Sequence, residues 1–150
     1  MSEQLDPTIL FSLTVKNTAE ALDFYAKAFG AVELFRMETP DGGIGHAEFM
    51  IGNSKVFISD ASPEWNAYPM EGDTTASCLF SIGTDDCEAS YKQAVEAGGQ
   101  SLMEPADQVW GMKTAMIRDP YGYRWTLREL VEELTPEEMA ERFEKLMSGE

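Results

Sequence analysis

The chain contains a single histidine, and two carboxylates are placed to share its surroundings. His46 and Glu48 are two residues apart in a predicted strand, so their side chains project from one face about 6–7 Å apart. Asp60 ends the next predicted strand, and we expect its carboxylate near them. A histidine beside carboxylates can transfer protons, contact a ligand or hold a divalent metal. A purely structural histidine–carboxylate hydrogen bond is the alternative.

Two further residue types could bear on chemistry. Cys78 and Cys87 are too few for a disulfide scaffold and lack metal-site spacing, so we expect reduced thiols. Cys87 falls in the first turn of a predicted helix, where the dipole could lower the pKa of its thiol. No histidine lies near it in sequence, so we assign it no catalytic role. Trp110 lies near a predicted loop and is a candidate for the apolar wall of a ligand pocket.

The charge balance limits the class of partner. The net charge of −16 argues against nucleic acid and against anionic membrane surfaces, because both are polyanions. Residues 129–150 hold eight acids against Arg142 and Lys145, which indicates a solvated helix face or, alternatively, attraction of cationic ligands. No basic-then-apolar leader or bilayer-length apolar run is present, so we expect a soluble, cytoplasmic protein.

The positions of these residues depend on a repeat. Leu10-Phe11-Ser12-Leu13 returns 69 positions later as Leu79-Phe80-Ser81-Ile82, and Asn17 and Gly30 correspond to Asp86 and Gly99 in the same phase. Each copy leads from a strand into a helix that ends at glycine. The first copy predicts strands over 8–15, 31–37, 44–51 and 55–60 and a helix over 18–29. The second predicts strands over 77–83, 100–104, 112–118 and 123–128 and a helix over about 86–97.

Capping and turn residues refine these boundaries. Asn17 with Glu20, and Asp85 with Glu88, are predicted cap pairs at the starts of the two helices. Pro105 predicts a loop after the strand at 100–104. The linker over 61–76 has no clear period, and its Trp65 and Tyr68 are interpreted as packed on an edge rather than forming a lid.

A third helix is predicted over about 135–148. Thr135-Pro136-Glu137-Glu138 has the pattern of a capping box with proline at the first helical position. Met139, Phe143 and Met147 form a narrow apolar stripe that should dock on the domain or on a partner subunit. Together with open sheet edges, this stripe favours a homodimer.

Several of these segments resemble the vicinal oxygen chelate superfamily, which includes glyoxalase I, extradiol dioxygenases and bleomycin-binding proteins. The resemblance covers roughly residues 8–130 and is carried by Ala21-Leu22-Asp23-Phe24-Tyr25, by Phe29-Gly30-Ala31 and by Asp119-Pro120-Tyr121-Gly122-Tyr123. Gly45-His46-Ala47-Glu48 and Ile58-Ser59-Asp60 resemble its PhnB-like branch. It implies an α+β fold: paired βαβββ modules over about 8–60 and 77–130 that form a cupped mixed sheet, plus the C-terminal helix, as one domain.

The resemblance also implies where a metal would bind. Metal-dependent members carry four ligands on the first and last strands of the two modules, and these positions fall on Leu10, Ile58, Leu79 and Thr126. Three are hydrocarbon side chains and the fourth is a hydroxyl, whereas divalent cations need histidine or carboxylate donors. We therefore expect no metal and no cofactor.

The leading hypothesis is a metal-independent small-molecule-binding protein, with a ligand in the cup lined by His46, Glu48, Asp60, Trp110 and Thr126. Catalytic residues are unassigned. The alternative is a lyase, isomerase or dioxygenase-type enzyme, in which His46 and Glu48 do acid–base work or a displaced metal acts. A structural protein with a collapsed cup is the third possibility.

Overall fold

The computed structural model describes residues 6–150, and the sequence repeat appears in it as two copies of one βαβββ order. The chain divides into two compact units, with the boundary between Thr74 and Thr75. Each unit builds one four-stranded mixed sheet with one helix, and a further helix closes the chain. The predicted α+β fold of paired modules with a C-terminal helix is confirmed.

The first unit contains β1 (Phe11–Val15), α1 (Thr18–Phe29), β2 (Val32–Glu38), β3 (Ile44–Ile51) and β4 (Ser54–Asp60). Its sheet has the order β1-β4-β3-β2, with β1 parallel to β4 and the other pairs antiparallel. The Asn17 side chain accepts the Glu20 N–H at the start of α1, and Gly30 ends the helix with a φ of +69°. Both caps are as predicted.

Strand alternation divides the first sheet into a covered face and an open face. Leu13, Phe49 and Ile58 are almost fully buried on the face that α1 covers, where the Tyr25 ring stacks on Phe49 with centroids 5.4 Å apart. The residues between them in β3 and β4 project from the opposite face and are only half-buried. Among these are His46 and Glu48.

The second unit contains β5 (Leu79–Gly83), α2 (Cys87–Glu96), β6 (Gln100–Asp107), β7 (Met112–Arg118) and β8 (Arg124–Leu130), in the order β5-β8-β7-β6. Trp125 is buried against Phe80 in the core of this unit. Its indole N–H donates to the buried carboxylate of Asp119, which also accepts the N–H groups of Tyr121 and Tyr123 in the preceding turn.

Three local predictions are wrong. Asp86, not Asp85, caps α2; Asp86 is the residue that the repeat pairs with Asn17. β6 does not stop before Pro105, because β6 is an edge strand and the proline lies where its register with β7 shifts. Trp65 and Tyr68 are not packed on an edge: their exposures are 84% and 62%. The linker gives them no covering element beyond one 3₁₀ turn over Pro63–Trp65.

The C-terminal helix α3 spans Pro136–Ser148 and begins with the predicted capping box of Thr135 and Glu138. Its apolar stripe is open to solvent, with Phe143 51% and Met147 71% exposed. None of the helices within residues 6–150 is both long enough and apolar enough to cross a bilayer.

Candidate functional site

His46 and Glu48 lie together on the open face of the first sheet. The imidazole Nε2 is 3.2 Å from Glu48 Oε1, and the two side chains are 28% and 13% exposed. Their common direction follows from strand alternation, because Ala47 between them is fully buried on the α1 side. The predicted pairing of these two side chains is therefore present.

The pair is bordered by two aromatic rings and one cation. Phe57 meets the imidazole edge to face at 4.9 Å between centroids, and Phe35 lies at 6.0 Å. Lys55 Nζ is 3.7 Å from Glu48 Oε2 and 2.6 Å from Asp6. The hydrogen bond to Asp6 raises the pKa of Lys55, and the charge of Glu48 acts in the same direction. Glu48 thus orients the imidazole with one oxygen while a permanent cation faces the other. We call this group the His46 face.

Asp60 does not join the His46 face. It has the same strand parity as the buried Ile58, and its carboxylate accepts the backbone N–H groups of Thr18 at 2.8 Å and Ile44 at 2.9 Å. The expectation that it lies beside His46 and Glu48 is wrong, because those backbone donors hold it on the opposite side of the sheet. The repeat reproduces this contact: 69 residues later, Glu129 accepts the N–H of Cys87 at 3.2 Å.

Asp60 also contributes to an open cleft of about 680 Å³ at the end of the first sheet. The cleft lies beside the β2–β3 turn and the 3₁₀ turn. Its polar lining comes from Thr39, Asp41, Ser59, Asp60 and Ser62, with the exposed Trp65 at its margin. The cleft is separate from the His46 face, because neither His46 nor Glu48 lines it. Within it, the Asp60 carboxylate already accepts the two backbone N–H groups.

Trp110 and Thr126 belong to the second unit. Trp110 lies in the turn between β6 and β7 and is 41% exposed. Thr126 is half-buried in β8, in register with Ser81 of β5 and Met116 of β7. The part of Trp110 and Thr126 in a ligand site with His46 and Glu48 stays a prediction.

The register also tests the positions at which the superfamily binds metal. Ser12 pairs with Phe57 in the first sheet and Ser81 pairs with Thr126 in the second, so Phe57, not Ile58, is the counterpart of Thr126. Ile58 is fully buried on the α1 side. With Phe57 in its place, the positions still supply one hydroxyl and no histidine or carboxylate, so they do not fit a divalent cation. Within residues 6–150, no group of three His, Cys, Asp or Glu side chains could hold one either.

The expected effect of the helix dipole on Cys87 is also wrong. The thiol is fully buried, and its sulfur is 3.5 Å from the Leu127 carbonyl oxygen. Burial raises the pKa of Cys87, and the nearby negative charge of Glu129 raises it further. This cysteine is a core residue rather than an activated nucleophile.

Sequence reasoning missed a group of arginines on the open face of the second sheet. Arg124, Thr126 and Arg128 alternate with the buried Trp125 and Leu127 along β8. That alternation is visible in the sequence, whereas the net charge of −16 gives no sign of a local basic surface.

Comparison with known proteins shows which family the chain belongs to. The Glyoxalase/Bleomycin resistance protein/Dioxygenase superfamily matches the chain over residues 6–127. An uncharacterised protein of Mycobacterium tuberculosis is 31% identical over 142 residues, which cover 93% of this chain and 84% of that protein.

Solved structures agree on the fold. TioX from Micromonospora sp. ML1 has a TM-score of 0.67 at 20% identity, over 83% of this chain and 98% of that one. A PhnB protein from Bacillus cereus has a TM-score of 0.63 at 18% identity, over 81% and 98%. Such identities show the fold alone, whereas the family match covers most of the sequence. The chain therefore belongs to the Glyoxalase/Bleomycin resistance protein/Dioxygenase superfamily.

Proposed function

We propose that the chain is a metal-independent small-molecule-binding protein that holds its ligand against the His46 face. The observation that carries the proposal is the His46–Glu48 pair, which is partly exposed beside the rings of Phe35 and Phe57 and has 3.2 Å between Nε2 and Oε1. A few polar groups among apolar ones is the usual composition of a ligand site. Membership of a superfamily that includes ligand-binding proteins supports the same reading.

The chemistry of the face suggests how a ligand would be oriented. Glu48 already accepts from His46, so the remaining imidazole nitrogen is the polar group that a ligand would meet. Phe35, 46% exposed, would cover an apolar or ring-shaped part of it. Metal independence is proposed because the superfamily's metal positions do not fit a cation here. Trp110 and Thr126 are proposed as further contacts.

A ligand screen followed by substitution tests the proposal. A thermal-shift screen of small metabolites and antibiotics should find compounds that stabilise the protein in the presence of a chelator. His46→Gln should weaken the best of them about tenfold, the effect of losing one good hydrogen bond. Lys92→Gln, on the exposed face of α2, is the matched control and should leave the affinity unchanged. Equal affinity in both variants would remove His46 from the site.

A second candidate is an enzyme that uses the same pair for acid–base chemistry. The 3.2 Å contact favours it, because a carboxylate that orients an imidazole is a common arrangement for proton transfer. Product formation from a compound of the screen separates the candidates, and Glu48→Gln tests whether the pair carries the reaction. An enzyme should lose about 100-fold or more in kcat, whereas a binding protein should show only a change in affinity. Elemental analysis that finds stoichiometric metal, lost in His46→Gln, would support the displaced-metal form instead.

We also propose that the protein acts in the cytoplasm as a homodimer. The exposed stripe of α3 and the edge strand β2 support self-association, since Val32, Leu34 and Met37 on β2 are each about half exposed. Light scattering at micromolar concentration tests it. A mass near 16.7 kDa would contradict the dimer.

A further inference from the structure

The open face of the second sheet carries three of the chain's five arginines. Arg124 and Arg128 project from β8 on the side opposite Trp125 and Leu127, both buried, and Arg118 is the β7 residue in register with Arg124. Three guanidinium groups on one face are unexpected in a chain with a net charge of −16.

The ion pairing of these arginines sets them apart. The two arginines elsewhere each bind a glutamate: Arg36 bonds to Glu33 at 2.6 Å, and Arg142 bonds to Glu132 at 2.8 Å. By contrast, within residues 6–150 no carboxylate oxygen lies within 4.0 Å of Arg124 or Arg128. Acidic side chains are abundant, yet they are placed away from these two guanidinium groups.

Arg124 has an unfavourable electrostatic neighbour. Arg118 lies directly opposite it across the β7–β8 pair, and like charges in that position destabilise a sheet. Its Nη2 donates a 3.4 Å hydrogen bond to the Ser77 carbonyl, but its Nε is buried and donates to no group in the described residues. A buried donor without a partner is unfavourable unless something else accepts from it.

The Arg128 guanidinium lies over a glycine of the neighbouring strand. Gly83 is its partner in β5, and a Cβ added at Gly83 would lie 2.6 Å from Arg128 Nη1. Any side chain at position 83 would therefore displace the guanidinium. The hydroxyl-bearing pair of Ser81 and Thr126 lies in register between the two arginines. The β5–β8 surface thus presents a row of guanidinium, hydroxyl and guanidinium groups.

From these observations we infer that the β5–β8 open face is an anion subsite, at which Arg128 with Ser81 and Thr126 binds a carboxylate or phosphate group of a small molecule. Arg124 lies about 13 Å further along β8 and would contact a different part of the same molecule. The inference rests on the proposed function in that the chain binds small molecules, and it adds the chemical class of the ligand. Guanidinium groups offer only donors and match planar carboxylates and phosphates by paired hydrogen bonds. Ser81 and Thr126 can donate from their hydroxyls to the same group.

The first unit shows that this surface is a specific feature of the second. Lys55, Phe57 and Ser59 occupy the positions that correspond to Arg124, Thr126 and Arg128. Lys55 is already bound by Asp6 and Glu48, so the repeated sheet has no unpaired cation at that place. The acidity of the whole chain does not prevent anion binding, because exposed charges beyond about 8–10 Å are screened at ordinary ionic strength.

Titration with inorganic phosphate tests the inference without an identified ligand. Calorimetry at about 0.15 M ionic strength, where distant charges are screened, would compare the wild-type protein with Arg124→Gln, Arg128→Gln and Gly83→Ala. Arg142→Gln is the matched control, because it removes the same charge from a guanidinium that a glutamate already binds. A parallel titration with malonate distinguishes the two kinds of anion, and circular dichroism checks that each variant is folded.

We expect phosphate, malonate or both to bind the wild-type protein. Arg128→Gln should weaken the binding about tenfold or more, and Gly83→Ala should weaken it while retaining every charge. Arg124→Gln should weaken it less than Arg128→Gln, because Arg124 lies four residues away along β8. Arg142→Gln should stay within about twofold of wild type. Absence of binding by both anions, or equal affinity in Arg128→Gln and Arg142→Gln, would overturn the inference. The two proposals fail separately, because this titration uses neither His46 nor a compound from the screen.

Discussion

Replacing Asp60 with alanine should lower the free energy of unfolding of the protein, whether or not a ligand is present. The Asp60 carboxylate joins two distant backbone groups of the first unit, the N–H of Thr18 at 2.8 Å and that of Ile44 at 2.9 Å. Thr18 is fully buried and Ile44 is 4% exposed, so both N–H groups lose a charged acceptor in a largely covered place. The substitution therefore leaves two buried donors unsatisfied at the start of α1 and of β3.

The size of the effect follows from these two bonds. A hydrogen bond to a charged group contributes about 1.5–3 kcal/mol, and two that share one carboxylate are not fully additive. We expect Asp60→Ala to lower the free energy of unfolding by about 3–5 kcal/mol, a large part of the ~5–15 kcal/mol of a typical domain. Glu129→Ala is the matched comparison, because Glu129 makes the equivalent single bond to Cys87 at 3.2 Å. It should cost about 1–2 kcal/mol.

Equilibrium unfolding in urea, followed by circular dichroism, measures both values. Asp60→Asn, which keeps one acceptor oxygen, should fall between Asp60→Ala and wild type. The reasoning is refuted if Asp60→Ala costs less than about 1 kcal/mol, or if Glu129→Ala costs as much. An Asp60→Ala protein of wild-type stability that no longer binds the screened ligand would instead restore Asp60 to the ligand site.

Other predictions concern the second unit. Cys78 should react with a thiol reagent in the native protein, and the buried Cys87 only after unfolding, as peptide mapping after alkylation would show. Burial raises the pKa of the Cys87 thiol in the folded protein. At pH values just above the ordinary pKa of a thiol, Cys87 therefore ionises only in the unfolded chain. The free energy of unfolding should therefore fall as pH rises there, with a smaller slope in Cys87→Ala; equal slopes would contradict the shift. Asp119→Asn sets an amide donor against the Trp125 N–H and should lower the free energy of unfolding in urea by about 2–3 kcal/mol. In a Trp125→Phe background the same substitution should cost at least about 1 kcal/mol less, because the indole donor is absent.

The elements that were predicted well depend on local chemistry. Asn17 and Gly30 delimit α1 through contacts with their own neighbours, so the sequence around them was sufficient. The shared direction of His46 and Glu48 is likewise a property of one strand. Pro105 was misjudged because its tolerance depends on β6 being an edge strand, and that follows only from the assembled sheet.

The parts of the site that were not predicted depend on distant contacts. Asp60 has the strand parity of Ile58, yet its role is decided by Thr18, which is 42 residues away along the chain. The arginines of β8 show the same limit. Their alternation is visible in the sequence, but that Arg124 lacks a carboxylate partner within residues 6–150 depends on where the acidic side chains lie in the fold.

The carboxylate contact that Asp60 and Glu129 make in the two units has a consequence for how the chain could diversify. In each unit the last strand closes onto the first turn of the helix from the covered side of the sheet. The side chains of the open side take no part in that closure. After a duplication, the open-face side chains of each unit could therefore change while the covered-face contact is kept. The His46 face of the first unit and the arginine-bearing open face of the second have that pattern. For the same reason, the side chains of Arg124, Thr126 and Arg128 could be introduced together at the corresponding positions of the first unit, Lys55, Phe57 and Ser59.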